Sequence, residues 1–159
     1  MSSNVASDLV SADLVWEICR PQNAFLVKQK SGGGSQFSRD PYNVLNKHSR
    51  KYGGFLDDKA VSIQPGEKGG VELTTKKRKN FNRPAANQNQ VAFGQNKSSR
   101  KVYKGIVSNT AKNGYRPDIR AESVARASAI LKSQRSKKDI PERKPRGAKA
   151  KKAAESKST

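Results

Sequence analysis

Positive charge is divided unequally along this chain, and the division limits what each half can fold into. Residues 1–75 hold nine Lys/Arg and eight Asp/Glu, a net of +1. Residues 76–159 hold twenty-four Lys/Arg and five Asp/Glu, a net of +19. The first part can build an ordinary core. The second repels itself unless a polyanion neutralises it, and nucleic acid carries phosphates at the required density. Lipid headgroups offer similar charge, but no segment has the broad, bulky apolar face of an interfacial anchor. Binding of structured nucleic acid is the reading that follows.

Apolar side chains are scarce enough to restrict where a core can form. Hydrophobic residues make up 33% of the 159, and six of the ten aromatics (Trp16, Phe25, Phe37, Tyr42, Tyr52 and Phe55) lie in the first 55 positions. A self-contained core is expected only within about residues 13–75, near the lower size limit for a domain without staples. The rest is expected to order on its partner. Cys19 is the single cysteine, so an intramolecular disulfide is excluded and a reducing compartment fits. No apolar run is long enough for a signal peptide or membrane span. Cytoplasm or nucleus is the expected location.

The pattern predicts an α+β chain, a small antiparallel β-sheet domain followed by basic helical and extended segments. Residues 1–12 read as a flexible amino terminus. Within 13–75, Leu14, Trp16 and Ile18 alternate as on a strand, Arg20–Asn23 reads as a hairpin turn, and Ala24–Lys28 as its return. Ser31–Ser35 is a glycine-rich loop without the Lys-Ser/Thr and helix of a phosphate-binding loop. Pro41 predicts an ordered turn by holding Asp40 out of the helical region. Lys59–Ile63 and Val71–Thr75 read as third and fourth strands across Pro65–Gly70. Residues 76–99 read as a basic, Asn/Gln-rich extended linker, and 100–135 as a basic helical region. There, Val102–Lys112 is a short helix stopped by Asn113-Gly114. Pro117 and Asp118 open a second helix running to Gln134. Residues 136–159 read as a basic disordered tail.

The second helix has two small-residue faces, Ala121/Val124/Ser128/Leu131 and Ile119/Ser123/Ala127/Ile130. Such faces allow close approach but bury little area, so the helix is expected to lie between a protein surface and phosphates. Catalytic chemistry is not expected. His48 sits among cations without an adjacent carboxylate or cysteine, Cys19 reads as a small, partly buried hydrophobe, and Asp57-Asp58 reads as a solvated surface pair. No cofactor or metal is expected.

Zinc-finger spacing, a heptad zipper after the basic region and the aromatic strand signatures of RNA-recognition modules are all missing. A basic extension on a small body suits irregular RNA, threading between helices and touching many phosphates. The residues expected to do so are Lys76, Lys77, Arg78, Lys79 and Arg83, then Arg100, Lys101, Lys104 and Lys112. Tyr115, Arg116, Arg120, Arg126, Lys132 and Arg135 complete the set. Arginine brings planar, often bidentate phosphate pairing, and lysine a hydrated point charge.

Several segments occur in the order of a known family. They are Leu14-Val15-Trp16-Glu17-Ile18, Asn23-Ala24-Phe25-Leu26-Val27-Lys28, Phe37-Ser38, Pro41-Tyr42-Asn43 and Gly70-Val71-Glu72-Leu73. The longest is Tyr115-Arg116-Pro117-Asp118-Ile119-Arg120, continuing into Ala125–Gln134. Through these, residues 13–135 resemble the eukaryotic large-subunit ribosomal protein family 28e, departing from its pattern at Ser31–Ser35 and 80–99. The resemblance implies a non-catalytic constituent of the cytoplasmic ribosome. Large-subunit ribosomal RNA and neighbouring ribosomal proteins would be its partners, with neither membrane nor homo-oligomer, and with passage through the nucleolus during assembly. A nucleolar assembly-factor family shares the amino-terminal domain, but its members carry several cysteines and an acidic stretch, which this chain lacks. A chromatin-binding basic protein is the third reading.

Overall fold

A computed structural model describes residues 10–31, 33–80, 83–137, 146–148 and 150. The element order is α1 (Ala12–Cys19), β1 (Leu26–Lys28), β2 (Gln36–Ser38), β3 (Val61–Pro65), β4 (Val71–Lys76), β5 (Gln88–Phe93), α2 (Ser99–Val107) and α3 (Arg120–Ser133). Most of the expected amino-terminal and carboxy-terminal flexible segments lie outside the described residues.

The first expected strand is a helix. Ser11 accepts a hydrogen bond from the Leu14 amide on its side-chain oxygen at 3.2 Å, and Asp13 sits in the positive first turn, a standard helix start. Of the three residues that suggested strand alternation, Leu14 and Ile18 share an exposed helical face and Trp16 lies on the opposite, buried side. No hairpin joins residues 14–18 to 24–28. Instead β1 pairs antiparallel with β2, Val27 opposite Phe37, across the glycine-rich loop.

The second sheet has the order β3-β4-β5, all antiparallel, with Ile63 opposite Leu73 and Leu73 opposite Val91. The expected third and fourth strands are present. The segment 76–99, expected as a linker, contributes β5. Along β4, Val71, Leu73 and Thr75 alternate into the core, the period-two pattern of a half-buried strand.

Helices α2 and α3 lie on that buried face. Val102 and Ile106 of α2 and Ala127 of α3, with Ile119 just before α3, join Val61, Ile63, Val71, Leu73 and Phe93 in one cluster. The core therefore crosses residue 75, and the basic half packs its helices on the sheet through its own apolar residues. Each fully buried aliphatic side chain there contributes about 1.5–3 kcal/mol. Two glycines permit this packing. A Cβ on Gly105 of α2 would come within 2.5 Å of the Phe93 ring. Gly70, at φ +85°, precedes β4, and a Cβ there would collide with the Phe93 carbonyl. The Gln134 side-chain amide closes the arrangement: it donates to the Gly70 carbonyl and accepts from the Gly70 amide, both at 2.8 Å.

Between the helices the chain passes through a π-helical turn, Ser108–Lys112, then Gly114 at φ +63° and a short 3-10 turn, Pro117–Ile119. The expected Asn113-Gly114 stop and the Pro117/Asp118 start are both in place. Among the described residues, no helix is long and apolar enough to cross a membrane.

Candidate nucleic-acid interface

The fifteen residues expected at the interface separate into two groups according to what their polar atoms touch. Four of them are turned into the protein. Lys76 ends β4 on the face away from the helices, where Nζ donates to the Gly54 carbonyl at 2.6 Å and the Asp57 carbonyl at 3.3 Å. The same ammonium lies 4.7 Å from the centre of the Tyr42 ring, a favourable cation–π distance. Burial depresses the Lys76 pKa, opposed by Asp40 and then Asp57. Tyr115 donates its hydroxyl to the Lys76 carbonyl at 2.8 Å and reaches the Ala60 carbonyl at 3.2 Å, linking the loop before α3 to the ends of β3 and β4.

Arg116 is more heavily engaged. Its Nε and Nη2 fork onto both oxygens of Asp118 at 2.9 and 2.8 Å. Nη1 donates to Asp57 Oδ2 and the Lys59 carbonyl, each at 2.9 Å, and Nη2 to the Lys51 carbonyl at 3.0 Å. The fork holds the Asp118 carboxyl below its ordinary value. Asp57 also accepts from Arg50 Nη1 at 2.7 Å, and Arg50 Nε donates to Asp13 on α1. A single chain of ion pairs thus runs from α1 to the start of α3. Asp57 is a half-buried hub here, not the solvated residue expected; Asp58 pairs with Arg78 at 3.4 Å.

Arg126 reaches across α3 to donate to the Ile63 carbonyl at 2.7 Å and the Val44 carbonyl at 3.0 Å. On the same side of the molecule, Glu122 receives Lys51 Nζ at 2.8 Å and the Tyr52 hydroxyl at 2.9 Å. The sequence reading assigned Lys76, Tyr115, Arg116 and Arg126 to RNA. The structure turns most of their donors to carbonyls and carboxylates of the protein itself. For Arg126 a signal was available: it lies seven positions after Ile119 and next to Ala127, on the core-facing side of the helix.

The other eleven side chains project outward. Lys77, Arg78, Lys79 and Arg83 follow β4; Arg100, Lys101 and Lys104 lie on α2; Lys112, Arg120, Lys132 and Arg135 follow along the π turn and α3. Arg78 has its Asp58 partner, and Arg135 donates to Ser99 Oγ at 3.4 Å. Lys104, Lys112 and Arg120 are exposed and have no acceptor among the described residues. They line an open groove of about 790 Å³ between α2 and α3, together with Val107, Pro117, Ala121 and Val124. Of the two faces expected on the second helix, Ile119/Ser123/Ala127 is buried, while Ala121 and Val124 belong to the groove.

The exposed side chains grouped at this surface are cationic, Lys104, Lys112 and Arg120. Among the described residues, no group of three or more His, Cys, Asp or Glu side chains is placed to hold a metal ion. His48 uses its ring to meet the Arg20 carbonyl at 2.9 Å and to pack 4.9 Å from the Trp16 ring.

Residues 14–133 match the Ribosomal L28e protein family. The chain belongs to that family. It is 46% identical over 132 residues to the large ribosomal subunit protein eL28 of Schizosaccharomyces pombe, covering 82% of this chain and 98% of that protein. The protein of the same name from Dictyostelium discoideum is 31% identical over 135 residues, 85% of this chain and 97% of its own length. That of Caenorhabditis elegans is 37% identical over 76 residues, 48% of this chain and 57% of its own length. The L28e match begins in α1 and ends at the last residue of α3, so it spans the sheet, the groove and the ion-pair chain from Arg50 onward. The family is one of eukaryotic ribosomal proteins acting in translation and is not catalytic.

Proposed function

We propose that the protein is a structural constituent of the large subunit of the cytoplasmic ribosome, bound to large-subunit ribosomal RNA and to neighbouring ribosomal proteins. The observation that carries this reading is the likeness to large-subunit proteins over nearly their whole length. The cation distribution supports it. Eleven candidate basic residues face outward on the elements around the sheet, while the cations that hold the fold are satisfied internally. Among the outward residues, Lys104, Lys112 and Arg120 have no acceptor among the described residues and suit phosphates, which position a protein on RNA without reading its sequence. Assembly would take the protein through the nucleolus before it returns to the cytoplasm in finished subunits.

Fractionation tests the reading. Tagged full-length protein is expected to sediment with large subunits, monosomes and polysomes after a salt wash. Recovery only in nuclear pre-ribosomal particles would make it an assembly factor instead, and recovery chiefly on DNA in ribonuclease-treated nuclei would make it a chromatin protein.

A further inference from the structure

The groove between α2 and α3 has features that a phosphate-binding surface alone does not require. Its lining includes the apolar side chains of Val107, Pro117, Ala121 and Val124 and the aromatic ring of Tyr103. Tyr103 packs against the core on one side and remains part-exposed on the other. At about 790 Å³ the space falls within the usual range for small-molecule sites, about 300–1,000 Å³. Lys104, Lys112 and Arg120 stand at the rim without acceptors among the described residues. The one carboxylate in the lining, Asp118, is neutralised by the Arg116 fork at 2.9 and 2.8 Å. The adjoining π-helical turn, Ser108–Lys112, is a rare form that recurs at functional sites.

Resting on the RNA-binding reading above, we propose that this groove receives one unpaired, extruded nucleotide: its base enters against Tyr103 and the apolar lining, and its flanking phosphates meet Lys104, Lys112 and Arg120. Charge complementarity selects this occupant over an apolar protein segment. A segment of that kind would bury the apolar lining equally well but would leave three cations unpaired at its edge. Stacking of a splayed base on an aromatic ring is the usual means by which proteins hold single-stranded RNA.

The test uses the full-length protein with two probes at about 0.15 M salt: a short uridylate oligomer, and an abasic sugar-phosphate oligomer of the same length. The uridylate is expected to bind about tenfold more tightly, the effect of one stacked base. Tyr103→Ala and the groove-filling Ala121→Leu should each abolish that preference, while Tyr103→Phe retains it. Ala121 is exposed, so its enlargement in a helix removes no packing and keeps the test informative if Tyr103→Ala unfolds. Equal binding of the two probes would overturn the groove proposal and leave the RNA reading standing. A preference that persists in Ala121→Leu would place the base elsewhere and overturn it as well. Failure of both probes to bind would remove the RNA reading itself. In intact large subunits, an ultraviolet crosslink from a nucleobase to Tyr103 is expected; a protein side chain occupying the groove would overturn the assignment.

Discussion

Arg116 and Arg120 lie four residues apart in one sequence motif and have opposite surroundings. Arg116 is 16% exposed at its side chain and donates to two carboxylates and two backbone carbonyls. Arg120 is exposed on the groove rim, with no acceptor among the described residues. The same contrast separates Lys76, held under the Tyr42 ring, from Lys77 one position later on the surface. Formal charge therefore overstates what is available to a partner. A fold rich in cations uses several of them to join its own segments, and only the remainder can face phosphates. The seam formed by Arg50, Asp57, Arg116 and Asp118 ties the segment between β2 and β3 to the turn before α3.

The largest effect should come from breaking the seam at its hub. Asp57→Ala takes one of two carboxylates from each arginine, leaving Arg50 with Asp13 and Arg116 with Asp118, so each part-buried guanidinium loses a charge-assisted hydrogen bond. A loss of about 2 kcal/mol in unfolding free energy is expected, measured by urea denaturation. Because the core joins both halves, Trp16 fluorescence and helical circular dichroism should move together to the lower midpoint. A change under about 0.5 kcal/mol, as at an ordinary surface site, would erase the distinction between seam and rim.

Rim cations should respond in the opposite manner. Replacing Lys104, Lys112 and Arg120 together by alanine is expected to leave stability within about 0.5 kcal/mol of the parent per site. Affinity for a single-stranded RNA should fall, and the slope of log affinity against log salt should flatten by about two. Replacing Arg116 and Arg126 together should do the reverse, lowering stability while barely changing the salt slope of the folded fraction. Slope changes in proportion to the charges removed, three in one variant against two in the other, would mean that total charge alone sets binding.

How much of this was legible in the sequence depended on whether local chemistry or tertiary contact decided each element. Pro117-Asp118 and Asn113-Gly114 carry their own stop and start chemistry, and β3 and β4 alternate strongly, so these elements were readable. Strand β5 was not: Gln88, Asn89 and Gln90 have low strand preference, and pairing with β4 organises them. Helix α1 was misread because Leu14, Trp16 and Ile18 fit a strand face, whereas Ser11 and Asp13 supplied a capping signal that outweighed the alternation. Arg126 could have been placed on the buried side of α3 by its spacing from Ile119. Lys76 could not have been assigned, since nothing in its neighbourhood reveals that Gly54 and Tyr42 cover that end of the sheet. The Arg116–Asp118 fork was half visible as a charge pair two residues apart, but its other partner, Asp57, is 59 residues away.

Asp118 belongs to both regions, and its titration gives the smallest and sharpest test. The carboxylate pairs with Arg116 on the seam side and also lines the groove. Arg116 is the main cause of its lowered pKa, set against an ordinary 3.8. A carboxyl whose folded pKa is depressed excludes protons from the folded state, so its contribution is complete above 3.8. That contribution disappears as pH falls through the lower folded value. Asp118→Asn should therefore be less stable than the parent near neutral pH, and the gap should close on acidification below 3.8. With 41% of its side chain exposed, solvent screening keeps the gap below about 1 kcal/mol, and about 1 M salt should narrow it further. Urea midpoints measured for both proteins from neutral to acid pH would show this convergence. A gap that stays constant through that range would assign Asp118 a role in shape or helix initiation. The seam would then rest on Asp57 alone, and the carboxylate in the groove would no longer count as neutralised by Arg116.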